Sequence, residues 1–201
     1  MHGRVHDFIV SQTVKNWKEL PTGFGQGALI PTVLPIEQPE MEEQPVYSKV
    51  LEIGSLDING SQKTYDFIGT QAPWRQMIGC QEYVGIDLIP GKEVDLVMDA
   101  HGLSFKDNYF DLVLCMNMIE HDSDISKTLK EAYRVLRPGG LFLITTVDEK
   151  HPEHMEEQAA ELKLPYNHIS ERDFSVKIAK LKPKDFNIWH FDCDLLARIE
   201  K

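Results

Sequence analysis

Five short apolar runs organise the chain: KVLEIG (49–54), EYVGID (82–87), VDLVMD (94–99), FDLVLCMN (110–117) and LFLITTV (141–147). Each is apolar through its middle instead of alternating, the pattern of strands covered on both faces of a parallel sheet. Between the fourth and fifth runs Ile125, Leu129, Ala132 and Leu136 recur at helical spacing. Ser123 or Asp124 caps that helix, and Arg137-Pro138-Gly139-Gly140 stops it. Strands alternating with helices predict an α/β fold. Further on, Ser170-Glu171-Arg172-Asp173 reads as a capping box that opens a helix reaching Leu181, with Pro183 as its breaker. DFNIWHF (185–191) and DLLARIE (194–200) are two final strands, and the short link at Asp192-Cys193 predicts that they pair antiparallel.

The first 48 residues do not share this pattern. Val5, Phe8, Ile9, Val14 and Trp17 fall near helical spacing, so a short amphipathic helix is expected over 5–17. Pro21, Pro31, Pro35, Pro39 and Pro45, Gly23, Gly25 and Gly27, and the acidic Glu40, Glu42 and Glu43 then resist regular structure. The expected division is therefore 1–48, a helix and Pro/Gly-rich acidic loop, and 49–201, a sheet-based domain. Phe8 and Ile9 make the helix a candidate lid over the strand ends, with Gly23-Phe24-Gly25 as its hinge. The competing reading is a helix packed on the outside of the sheet and a linker.

Charge narrows the partners. With 21 Lys+Arg against 32 Asp+Glu the net charge is −11, a poor match for a polyphosphate backbone, so nucleic acid is not favoured. No stretch approaches the ~18 apolar residues of a membrane span, and the start MHGRVHDFIVSQ lacks the apolar core of a secretory signal, so a cytoplasmic protein is expected. Cys80, Cys115 and Cys193 are too widely spaced for a metal knuckle and read as reduced, mostly buried thiols.

In an open α/β sheet ligands collect at the carboxyl ends of the strands. The first strand runs out through Glu52-Ile53-Gly54-Ser55, where glycine admits close approach of a ligand, and the second ends in Asp87, placed to accept two ribose hydroxyls. The G-x-G-x-x-G of dinucleotide enzymes is absent, which argues against a nicotinamide oxidoreductase and for an adenosine ligand without phosphates. Taken singly, Gly54 is also a turn glycine, Asp87 a strand-end acid and Asp99 a loop cap.

VLEIGSLDINGS, YVGIDLIPG, VMDAHGLSFKDNYFDLVLCMNMIEH and LKEAYRVLRPGGLFLITT, in this order and spacing, resemble the successive motifs of class I S-adenosylmethionine-dependent methyltransferases, particularly the methyltransferase type 11 group. The likeness covers 49–147, about half of the chain. It departs from the family at Leu56, which stands where the second glycine of E-x-G-x-G-x-G is usual, with a glycine arriving only at Gly60. The resemblance implies a Rossmann-like doubly wound sheet of seven strands in the order 3-2-1-4-5-7-6 with only the last antiparallel. It implies S-adenosylmethionine as cofactor and S-adenosylhomocysteine as product. By position, Glu52, Gly54 and the adjoining Ser55 line the methionine and ribose side, Asp87 with Leu88 takes the ribose, Asp99, Ala100 and His101 face the adenine amine, and Asn117 and Met118 close the pocket.

A base is needed only where the acceptor is a hydroxyl or amine that must lose a proton. His121, after Glu120, is the family-position candidate for it; a histidine hydrogen-bonded near the next helix is the alternative. His151-Pro152-Glu153-His154 with Glu156 and Glu157 lacks the helical spacing of a zinc site and reads as a solvated loop, so no metal is assigned. The acceptor side is expected from 1–48 and 148–170, with Trp17, Phe24, Trp74, Tyr166 and His168 as candidate pocket aromatics. The function implied is methyl transfer to a small-molecule or glycan-type acceptor. The alternative is a non-catalytic methyltransferase-like binding or scaffold protein, motivated by the altered glycine loop and the acidic N-terminal segment.

Overall fold

In the computed structural model, seven strands form one sheet whose apolar faces are both covered, as the unbroken apolar runs require. The structure describes Gln12 and residues 47–56, 64–67, 70–73, 78, 80–153 and 160–201. The helix over 5–17, the proline-rich loop and hinge, Trp17, Phe24, Trp74, His154, Glu156 and Glu157 lie outside the described residues, Gln12 alone excepted. The carbonyl of Gln12 accepts a hydrogen bond from Tyr47 Oη at 3.4 Å.

The main sheet contains β1 (Tyr47–Ile53), β4 (Cys80–Asp87), β5 (Leu96–Val97), β6 (Phe110–Met116), β7 (Leu136–Val147), β8 (Asp185–Phe191) and β9 (Asp194–Glu200). Their spatial order is β5-β4-β1-β6-β7-β9-β8. Counted along the chain this is 3-2-1-4-5-7-6, with β9 antiparallel to both β7 and β8 and every other pair parallel. A separate antiparallel hairpin, β2 (Thr64–Phe67) with β3 (Thr70–Pro73), occupies part of the connection from β1 to β4. The hydrophobic pattern did not announce it.

β6 lies at the centre and is buried at every position. One face of the sheet carries Ile53, Val113, Cys115, Phe142, Ile144 and Ala197 against two helices, α1 (Ile125–Val135) and α2 (Glu171–Ala179). The other face packs Val50, Leu112, Leu114, Leu143 and Leu196 with Ile78. Asp124 caps α1 by accepting the Lys127 N–H at 3.1 Å, and Ser170 caps α2 by accepting that of Asp173 at 3.1 Å. Of the thiols only Cys115 is fully buried; Cys80 and Cys193 are partly exposed, and all three are reduced.

β7 starts five residues before the apolar run that announced it, because Leu136 leaves the helix in an extended conformation (φ −71°, ψ 133°). The Arg137-Gly140 stretch is then drawn into the sheet by partners remote in sequence. Arg137 pairs with Asp111, the Gly139 N–H (φ +73°) donates to Lys201 O at 2.7 Å, and Lys201 N–H donates to Gly140 O at 3.2 Å. The Lys201 ammonium also donates to the carbonyls of Tyr133 and Leu136 at 2.8 and 2.7 Å, satisfying the end of α1. β5, in contrast, is shorter than its six-residue apolar run, retaining only two paired positions at the sheet edge.

Candidate functional site

Parallel strands leave their last residues together at one edge, and the loops there carry most of the sequence candidates. After β1 the chain turns at Gly54 (φ +74°), where both Gly54 N–H and Ser55 N–H donate to Ile86 O at 2.9 Å. A Cβ on Gly54 would sit 2.8 Å from Met118 Cβ and Cγ. Glycine is therefore required twice, for the left-handed backbone and for the approach of Met118. Gly54 and Met118, 64 positions apart in number, are brought into contact. Gly85, which sequence reasoning did not select, is equally tight: its Cβ would meet Glu93 O at 2.3 Å and Ser55 Cβ at 2.8 Å.

At the end of β4, Asp87 accepts the Leu56 N–H at 3.0 Å through one carboxylate oxygen and the Leu88 N–H at 2.7 Å through the other. An ionised carboxylate has about four lone-pair sites, so each oxygen retains capacity for another donor. Leu56, the residue in the usual glycine position, thus contributes its backbone to the same carboxylate. Glu52 is placed differently from the rim position its number suggests: it is 2% exposed and accepts the Tyr83 hydroxyl at 2.8 Å. After β5, Asp99 is exposed and accepts the His101 N–H at 2.8 Å, while Ala100 packs on the core. After β6, Asn117 (φ +47°) donates its N–H to Thr145 O at 2.9 Å and accepts the Thr145 hydroxyl through Oδ1 at 2.9 Å. The positive φ and the Thr145 contact together fix the direction of its side chain.

The chain then forms a 3₁₀ turn, Ile119–His121. His121 lies edge-on to Tyr166, ring centroids 5.5 Å apart, and Tyr166 stands in the same relation to His168 at 5.5 Å. Its neighbour Glu120 is buried. It is 1% exposed, accepts the Thr146 hydroxyl at 2.9 Å through Oε2, and leaves Oε1 without a hydrogen bond among the described residues. Burial raises its pKa from an ordinary 4.5 to about 7, opposed by the Thr146 bond and assisted by Asp194. Burial, Glu120 and Glu153 push the Tyr166 hydroxyl upward as well.

Three residues that shape this edge were missed. Thr145 orients Asn117, Asp122 pairs with His101 at 2.7 Å, and Asn167 hydrogen-bonds the backbone of the 3₁₀ turn. Only the Thr145-Thr146 pair, polar at the end of an apolar run, carried any local signal. A second cleft, about 520 Å³, lies beside α2 between Asp148, Lys150, Arg172 and His190. In it His190 Nε2 donates to the buried Asp148 at 2.9 Å. Among the described residues no three His, Cys, Asp or Glu side chains gather around a metal position, and no helix is long and apolar enough to cross a membrane.

Comparison with known proteins gives a consistent family. The methyltransferase domain family matches residues 69–144, beginning beyond Gly54 and the turn after β1. A protein of Methanocaldococcus jannaschii is 35% identical over 85 residues, 42% of this chain and 37% of its own. A ubiquinone/menaquinone biosynthesis C-methyltransferase from Pseudoalteromonas translucida is 39% identical over 57 residues, 28% of this chain and 22% of its own. The norajmaline N-methyltransferase of Rauvolfia serpentina is 34% identical over 101 residues, 50% of this chain and 27% of its own. The matched stretches thus span between about a fifth and two fifths of these relatives. An S-adenosylmethionine-dependent methyltransferase from Thermotoga maritima shares the fold at TM-score 0.53 and 18% identity, over 79% of this chain and 84% of that one. A Haemonchus contortus phosphoethanolamine N-methyltransferase, solved with S-adenosylhomocysteine, does so at 0.52 and 21%, over 74% and 36%. Over residues 69–144 the chain is thus similar to the methyltransferase domain family, and its strand order is that of the fold it shares with these S-adenosylmethionine-dependent methyltransferases.

Proposed function

We propose that the protein transfers the methyl group of S-adenosylmethionine to a small-molecule or glycan-type acceptor. The observation that carries this reading is the cradle at Gly54, where a left-handed glycine is closed on one side by Met118 and a Cβ would collide at 2.8 Å. In this reading Gly54 and Ser55 line the methionine and ribose side with Glu52 behind them. Asp87, which has acceptor capacity left over from its two backbone contacts, takes the ribose hydroxyls with Leu88 alongside. Asp99, Ala100 and His101 face the adenine, and Asn117 and Met118 close the pocket.

The cofactor supplies an electrophilic methyl on a sulfonium whose departure leaves a neutral thioether. The protein's part is positioning and exclusion of water. For a hydroxyl or amine acceptor, His121 is the proton acceptor, on a turn that follows the pocket-closing Met118. The part of the 1–48 segment that precedes β1 is the proposed cover over the reacting centre.

The test is a thermal-shift and calorimetric comparison. S-adenosylmethionine or S-adenosylhomocysteine at ~100 times its Kd is expected to add about 2.7 kcal/mol of stability, and NAD none. A shift with NAD and none with either adenosyl compound overturns the reading. Labelled S-adenosylmethionine in cell extract then reads transfer, and binding without transfer to any acceptor supports the scaffold alternative that Leu56 motivates.

A further inference from the structure

The Ile119–His121 turn is gripped from two sides by side chains that play no part in the cofactor assignments above, apart from His101. From the segment after β7, Asn167 donates its backbone N–H to Glu120 O at 2.6 Å and its side-chain Nδ2 to the carbonyls of Asp122 and Ile119 at 2.6 and 3.2 Å. From the loop after β5, His101 Nε2 donates to Asp122 Oδ1 at 2.7 Å, an oxygen that also accepts the Asp124 N–H at 2.9 Å. The same loop is closed on itself by Asp99, which accepts the His101 N–H.

Asp122 makes this more than a local turn. Its side chain is 3% exposed, and its second carboxylate oxygen has no hydrogen bond among the described residues. A buried carboxylate with unmet acceptor capacity is unfavourable. An asparagine would offer Asp124 the same oxygen acceptor without burying a charge. What the carboxylate adds is a charge-assisted hold on His101, which lies 21 positions away on the cofactor side. Hydrogen bonds therefore run without a gap from Asp99 through His101 and Asp122 into the turn that bears His121, and on to Asn167.

We infer that His101, Asp122 and Asn167 are positioning residues that lock the loop facing the adenine to the His121 turn and to the segment after β7, so that filling the cofactor site orders the acceptor side. This rests on the cofactor reading of the Asp99–His101 loop. Contiguity alone does not establish coupling; a coupling is measured as a change at one site when the other is filled, and it is reciprocal.

Hydrogen exchange on the full-length protein with and without saturating S-adenosylhomocysteine provides the test. Amides in 119–124 and 164–169 are expected to slow about fivefold or more on binding. Asn167→Ala is expected to abolish this protection in 164–169 and, by reciprocity, to weaken S-adenosylhomocysteine binding about fivefold. His101→Ala is expected to do both in the same way, and His101→Gln, which keeps a side-chain donor, to recover part of the protection. A purely structural role would change exchange equally with and without the ligand. Binding to the wild-type protein with no change in 164–169 overturns the inference while leaving the cofactor reading intact. Absence of binding to the wild type overturns both. Should Asn167→Ala fail to fold, the wild-type measurements with and without ligand decide the matter.

Discussion

The two halves of the sheet build their carboxyl edges in different ways. On the β5-β4-β1 side the edge is made of backbone: Gly54 at φ +74°, two N–H groups converging on Ile86 O, and Asp87 holding the amides of Leu56 and Leu88. On the β6-β7-β9-β8 side it is made of buried acids held by distant side chains, Glu120 by Thr146, Asp122 by His101 and Asp148 by His190. The first construction leaves acceptor capacity at the rim for a ligand. The second buries its acids, leaves one oxygen each of Glu120 and Asp122 without a hydrogen bond among the described residues, and through burial makes Glu120 sensitive to protonation. In the proposed function the first half receives the cofactor, while the second holds its own loops in register.

The sharpest way to break this comparison is Gly54→Val. Left-handed strain costs about 1–2 kcal/mol, and overpacking against Met118 adds about 1–3 kcal/mol. Loss of S-adenosylhomocysteine binding together with lowered stability in denaturant titration is expected; a variant that binds normally would remove the cradle from the site.

Glu120→Gln probes the other half. The folded state holds the Glu120 proton up to about pH 7, whereas the unfolded chain releases it near 4.5. In that interval the folded state binds more protons, so stability falls as pH rises through it, by on the order of 3 kcal/mol. The difference between wild-type and Glu120→Gln stability, followed by denaturant titration across the same interval, is expected to show this slope. A flat difference would mean that Glu120 stays ionised when folded.

Asp87→Ala returns to the first half with a smaller effect. Losing hydrogen bonds to a charged acceptor removes ~1.5–3 kcal/mol, a 10- to 150-fold weakening of S-adenosylhomocysteine by calorimetry with the fold intact. Unchanged affinity in the folded variant would take the ribose away from Asp87. The smallest effect is expected from Ser170→Ala, which removes the α2 cap at a cost of about 1 kcal/mol. Because the cap lies away from the residues proposed to hold the cofactor, the Tm of the variant is expected to fall with S-adenosylhomocysteine affinity intact.

The elements whose physics is local were legible along the chain. Unbroken apolar runs gave away β1, β4, β6 and β7, the capping box at Ser170 marked α2, and the short link at Asp192-Cys193 marked the antiparallel β8–β9 pair. Motif order exposed Gly54 and Asp87 as candidates because both lie at strand ends, which a linear pattern records. It took the folded chain to bury Glu52 against Tyr83, to start β7 at Leu136, and to bring His101, Asp122 and Asn167 together. Each of those depends on residues 21 to 68 positions apart being carried together by sheet register and helix packing. A hydrogen bond between remote side chains leaves no periodicity behind it, so nothing along the chain distinguished Asn167 from an ordinary loop asparagine until the fold brought it against the His121 turn.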